Sequence, residues 1–204
     1  MTIKKILILE GGYNEEHEVS LKSSLEIQKI LNKNNIKYKT LKVDSNNFKK
    51  IIPKFKNYIC FNALHGPFGE DGKIQKILKE NNIEYTHSNY KSSTNCFDKA
   101  KTKKIITKNK ILTPKFIILK KKQLDKKKLL ELKKKFDKFI IKPSKSGSSF
   151  GIKIIKNKKD FKNLINNLKN FKEELLNHND IIVEEFISGI ELTVSTIKFS
   201  KEIK

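Results

Sequence analysis

The sequence predicts an α/β protein in two parts: an open parallel sheet with helices on both faces, then an α+β unit built on hairpins. Three observations carry this. Short apolar runs alternate with helical patterns through residues 3–78, the signature of β-loop-α units. After residue 95 the apolar runs are parted by turn signals and tend toward antiparallel pairing. The chain of 204 residues also holds 13 Phe among 37% hydrophobic residues, enough for a core without disulfide staples.

The elements follow in order. Residues 3–9 (IKKILIL) form a buried strand that stops at Gly11-Gly12. Ser20 is placed to cap a helix running through Leu21, Leu25, Ile27, Ile30 and Leu31. Residues 37–43 and 58–64 are further strands, the second ended by Gly66-Pro67, and a helix over Ile74, Ile77 and Leu78 follows. A domain boundary is expected near 90–97, giving units 1–95 and 96–204. Beyond it come a helix over 98–109, a strand at 116–119, a lysine-rich helix at 124–135 and strands at 139–142 and 151–155. A helix over Phe161, Leu164, Ile165 and Leu168 leads to a strand at 180–187. Ser188-Gly189 then turns the chain into a last strand at 190–199.

The charge is extreme: 45 basic against 22 acidic residues, net +23. Such a balance ordinarily suggests a polyanionic partner. Every basic residue is lysine, however, and the lysines are dispersed along the whole chain. Arginine, the usual bidentate reader of bases and phosphates, is missing. No specific nucleic acid is therefore expected, only weak, salt-sensitive attraction to polyanions. The run from Lys120 to Lys135 falls at helical spacing and suits a solvated helix face. Two cysteines, Cys60 and Cys96, make no metal or redox pair and fit a reducing compartment. No apolar run suits a membrane span or a signal peptide, so a cytoplasmic protein without a membrane partner is expected.

Four segments could carry chemistry. EGGYNEEHEVS (10–20) opens a loop into a helix start and carries Glu15, Glu16 and Glu18, which suit a ligand with an ammonium group. The same acids equally suit a polar turn at a helix N-terminus. ALHGPFGEDG (63–72) follows a predicted strand, so His65 and the Glu16 loop could overhang one crevice. The alternative is a turn with Asp71-Gly72 starting a helix. KPSKSGSSFGIKII (142–155) places Lys142, Ser148 and Ser149 around a Gly-rich loop between two strands, a possible flap over phosphates or an ordinary hairpin. IIVEEFISGIELTV (181–194) ends a strand in Glu184 and Glu185, with Glu191 past the turn. It could offer backbone groups to adenine and an acid to ribose, or be a solvated hairpin.

Taken together and in order, GG…EHEVS (11–20), ALHGPFGEDG (63–72), DKAKTK (98–103), KPSKSGSSFGI (142–152) and VEEFISGIELTV (183–194) resemble the D-alanine–D-alanine ligases, ATP-grasp enzymes of peptidoglycan synthesis and hence of cell-wall biogenesis and cell shape. The resemblance implies an N-terminal pre-ATP-grasp domain at 1–95 and an incomplete ATP-grasp domain at 96–204. It implies a reaction in which ATP phosphorylates one D-alanine carboxylate and a second D-alanine attacks the acyl phosphate. By motif position, Glu16 would hold the ammonium of the first D-alanine in a relay with Ser148, and His65 would orient that substrate. Lys99 and Lys142 would contact ATP phosphates, and Ser149 would cover them. Glu184, Glu185 and Ile187 would lie along the adenine, and Glu191 would take the ribose hydroxyls. Mg²⁺ is the implied metal, with its ligands expected in a C-terminal region beyond residue 204. A homodimer through the N-terminal domain is implied as well.

The pattern departs from the family at Glu10, where a small or apolar residue is usual, and at His87, where glycine commonly follows the threonine. The resemblance also implies that residues 1–204 form an N-terminal portion, inactive alone. A D-Ala-D-lactate ligase, an ATP-binding module without chemistry and a basic nucleic-acid-binding protein are the competing readings.

Overall fold

The computed structural model describes residues 5–147, 151–175, 178–199 and 202–203. The first sheet is all parallel, in the order β2-β1-β3-β4: β1 (Lys5–Gly11), β2 (Tyr38–Val43), β3 (Tyr58–Asn62) and the short β4 (Glu84–Tyr85). Alternation along the central strand divides its two faces. Leu7 and Leu9 point into a core with Phe48 of α2 (Phe48–Ile51), Ile52 of the following 3₁₀ turn, and Ile74 and Leu78 of α3 (Lys73–Glu80). The opposite face meets helix α1 (His17–Lys33). Helices therefore cover both faces, as expected.

Two details of α1 correct the sequence reading. The helix begins at His17, so Ser20 is not its cap. Ser20 is buried, and its hydroxyl accepts the Gly11 amide proton at 2.8 Å. Nor does α1 seat its leucines: Leu25 and Ile30 are exposed, while Ser20 and Ser24 are buried. Small hydroxyl residues let the helix approach the strand closely. The same contact explains the departure at Glu10, whose buried carboxylate accepts the Ser24 hydroxyl.

The second sheet is antiparallel, in the order β5-β8-β6-β7: β5 (Phe116–Lys120), β6 (Phe139–Pro143), β7 (Lys153–Ile155) and β8 (Asp180–Glu185). On one face Leu119, Phe139, Ile141, Ile181 and Val183 meet Leu129 and Leu132 of α6 (Lys126–Phe136), Leu164 of α7 (Lys158–Asn166) and Phe171 of α8 (Leu168–Glu174). Between the sheets run α4 (Tyr90–Phe97) and α5 (Lys99–Lys108). The lysine run lies on α6 and the short 3₁₀ turn before it; within α6 only Leu129 and Leu132 are buried, which fits a solvated helix face.

One element is overturned. Residues 190–197 form no strand, and Ile190, Leu192 and Val194 stand exposed. Only Lys198–Phe199 (β9) pairs, with Glu202–Ile203 (β10). The alternating pattern needs a sheet to join, and both edges of β8 are already taken by β5 and β6. Among the described residues no helix is long and apolar enough to cross a membrane.

The cysteines sit in contrasting places. Cys60 is buried in the first core, and burial pushes its thiol up to about 12, whereas Cys96 is exposed. The folded chain should therefore react with one equivalent of a thiol reagent at pH 8, and with a second only after denaturation. Two fast equivalents in the native protein would contradict the first core as described.

Candidate active site

The outer face of the second sheet builds the charged centre. Because Ile141 and Val183 face the core, Lys142 and Glu184 fall on the opposite face. Glu184 stands opposite Ile140 on one side and Phe116 on the other, so Lys142 lies diagonally across from it. Lys142 reaches over and donates to Glu184 Oε1. The second oxygen, Oε2, lies 2.8 Å from Lys103 Nζ, supplied by α5. Burial pushes the Glu184 carboxyl up, but the bonds and charges of Lys103 and Lys142 outweigh it and hold the group below the usual range.

The start of α5 is locked to the loop after β6. Asp98 caps the helix by accepting from the Lys101 amide at 3.2 Å. Ser144 takes the first two helix donors: its carbonyl accepts from the Lys99 amide at 2.8 Å and its hydroxyl from the Ala100 amide at 3.2 Å. That hydroxyl donates in turn to Asp98 Oδ1 at 2.7 Å. Burial raises the Asp98 carboxyl, yet the Ser144 and Lys101 bonds, with nearby lysine charge, hold it below the usual range. The Lys99 ammonium then donates to the Ser146 carbonyl at 2.5 Å. Burial, followed by the charge of Lys142, keeps Lys99 below the ordinary lysine range, although Asp98, Glu184 and Glu70 pull the other way.

The first sheet contributes loops at the carboxyl ends of β1 and β3, as open parallel sheets do. Asn14 ties them together: its amide donates to the His65 carbonyl at 2.9 Å, and its oxygen accepts from the Glu16 amide at 2.9 Å. His65 Nε2 lies 2.9 Å from Ser23 Oγ, and its Nδ1 lies 3.7 Å from Glu70. The Glu16 side chain is buried, at 6% exposure, and runs along the backbone of Gly147 from the second sheet's loop. A Cβ at Gly147 would stand 2.6 Å from Glu16 Oε2, so a larger residue there would push the Glu16 carboxylate aside. A cavity of about 370 Å³ opens at this junction between Glu70, Gln75, His87, Cys96, Lys99 and Ser146. His87, the other family departure, packs edge-on against Phe61, and burial lowers its pKa.

The structure thus brings Glu16, Lys99, Lys142 and Glu184 around one junction, with His65 on the adjoining loop. Ser148 and Ser149 lie outside the described residues, although Gly147 beside them abuts Glu16. Glu185 is used by the sheet, its carboxylate accepting from the Lys115 amide at 3.0 Å. Ile187 and Glu191 stand exposed on the segment after β8. Among the described residues no hydrogen bond or ion pair joins them to the lysines. Sequence reasoning missed Asp98, Lys103, Ser144 and Glu70. An aspartate before a helix is a readable cap; the other three had no local signal.

No three His, Cys, Asp or Glu side chains among the described residues stand together so as to hold a metal ion. The described residues by themselves offer Mg²⁺ no such ligand set.

Solved D-alanine–D-alanine ligases share this fold. A Bacillus anthracis D-alanine–D-alanine ligase complexed with ATP superimposes with a TM-score of 0.70 at 29% identity, over 91% of this chain and 60% of that one. D-alanyl-alanine synthetase A from Vibrio cholerae shares the fold with a TM-score of 0.75 at 23% identity, over 100% of this chain and 65% of its own. The D-alanine–D-alanine ligase of Pelagibacter ubique is 44% identical over 194 residues, 94% of this chain and 60% of its own length. That of Pseudothermotoga lettingae is 36% identical over 198 residues, 97% of this chain and 62% of its own. A family model described as D-ala D-ala ligase C-terminus matches residues 105–203. The chain is similar to D-alanine–D-alanine ligases over 94–97% of its own length. It spans about 60% of the length of these two curated relatives.

The Glu184 clasp makes the protein acid-sensitive. A carboxyl held below its usual value contributes stability that is complete above the ordinary range near pH ~4 and disappears as pH falls through the depressed value. Glu184→Gln should cost about 3–5 kcal/mol at pH 7 by stranding buried ammonium groups, and the gap from wild type should shrink as pH is lowered toward 3. Urea titrations at several pH values measure it. A gap that stays constant would show that Glu184 is not ionised in the fold.

Proposed function

We propose that this chain carries the nucleotide-binding and first-substrate part of a D-alanine–D-alanine ligase. The reaction joins two D-alanines with conversion of ATP to ADP and phosphate, in peptidoglycan precursor synthesis. The observation that carries this reading is the meeting of Glu16 with the Gly147 loop, beside Lys99 and Lys142. An ammonium-seeking carboxylate and phosphate-seeking ammonium groups are gathered near one junction.

The roles of the chain's own residues follow. Glu16, buried at the mouth of α1, binds the ammonium of the first D-alanine. Its buried position strengthens that pairing relative to water. His65, oriented by Ser23 and lying near Glu70, flanks the amino acid and sets its direction. Lys99 and Lys142 neutralise phosphate charge; Lys142 leaves Glu184 to do so. ATP supplies the phosphoryl group that activates a carboxylate, and the protein contributes alignment and charge stabilisation. Ser148, with Glu16, and Ser149, over the phosphates, complete the flap. Glu184, Glu185 and Ile187 line the adenine, and Glu191 receives the ribose hydroxyls once the segment after β8 is covered. In this reading residues 1–95 form the first lobe and 96–204 the part of the ATP-grasp lobe present here. The enzyme works in the cytoplasm, with Mg²⁺ held by ligands outside this chain's described residues, and as a homodimer through the first lobe.

Calorimetric titration tests the reading. ATP should bind saturably, and Lys142→Ala should weaken it at least tenfold, about 1.4 kcal/mol. Glu16→Gln should weaken D-alanine while leaving ATP unaffected. Equal ATP affinity in wild type and Lys142→Ala would remove the nucleotide assignment.

A further inference from the structure

Lys103 is a buried lysine in the middle of α5, at 8% exposure. Its ammonium donates to Thr113 Oγ1 at 2.5 Å and to the Pro114 carbonyl at 3.3 Å, and forms an ion pair with Glu184 Oε2 at 2.8 Å. The Phe116 ring lies beneath it, 5.3 Å to the centroid. These contacts tie α5, the turn before β5 and β8 to one atom. Nothing in the motif DKAKTK distinguishes Lys103 from its neighbours, yet Lys101 and Lys104 on the same helix are exposed.

Glu184, at 5% exposure, is the common partner of two cations. One carboxylate cannot fully neutralise two ammonium groups, so the two compete for it. With Lys103 present the trio keeps a net positive charge beside the cleft, poorly screened because it is buried. Without it, Glu184 would turn wholly to Lys142 and cancel it. The depressed Glu184 pKa fits a carboxylate that both cations hold ionised.

We propose that Lys103 is a positioning residue: by occupying one oxygen of Glu184 it loosens the hold of the other on Lys142, and so makes Lys142 available to phosphate. This rests on the reading that Lys142 meets the nucleotide phosphates. A lysine that merely filled space would leave Lys142 unaffected.

The test is trace acetylation of the full 204-residue chain with acetic anhydride, following Lys142 by mass spectrometry, beside titrations with ATP and adenosine. Lys103→Met should slow Lys142 acetylation at least threefold and weaken ATP about tenfold, with adenosine affinity unchanged. Lys103→Arg, which keeps the charge, should restore both to within twofold. Thr113→Val removes a competing acceptor, presses Lys103 onto Glu184 and should speed Lys142 acetylation about twofold. It decides the matter if Lys103→Met fails to fold. An unchanged Lys142 rate in folded Lys103→Met, or in Thr113→Val where the first variant does not fold, overturns the proposal. Should the wild-type chain bind no ATP, the nucleotide reading falls, while the acetylation rates still judge Lys103.

Discussion

A carboxylate can be kept ionised inside a protein only if cations come with it, and Glu184 organises its surroundings on that condition. Its two oxygens face Lys103 and Lys142, and each lysine belongs to a different element. The requirement to pair the charge fixes α5 over the outer face of the second sheet. It also keeps two ammonium groups poised beside the cleft. A single buried ionised group thereby links the packing of the sheet to the chemistry proposed for it.

The second constraint is the buried start of α5. A helix leaves its first amide protons without partners, and here Asp98 and Ser144 take three in succession. Because Ser144 follows β6 directly, satisfying the helix start also sets the direction of the loop that reaches Glu16. Residues far apart in sequence are placed by backbone bonding, and the cleft between the two sheets results from it.

The sequence patterns had uneven reach. Period-two runs located β1, β3, β6 and β8, because these strands are buried on one or both faces and their side chains must alternate accordingly. The helical pattern located α3, α6 and α7. It located α1 as well, although close approach to β1 buries Ser20 and Ser24 and leaves Leu25 and Ile30 exposed. The strand pattern failed at 190–197, which pairs with no strand of the second sheet. Lys142 and Glu184 were legible from motif resemblance. Lys103, Ser144 and Glu70 were not, since their importance lies in partners 81, 46 and 29 positions away, Glu184, Asp98 and Lys99.

What the residues determined unaided was the alternation of strand and helix, the parallel-then-antiparallel order and the loops that bear acids, glycines and lysines. Local periodicity and turn chemistry suffice for that. Tertiary structure alone decided which charges meet. Pairing depends on register across β6 and β8, on which face of a strand a side chain occupies and on how a helix start is satisfied. Those are properties of contacts between distant segments, and no stretch of sequence contains them.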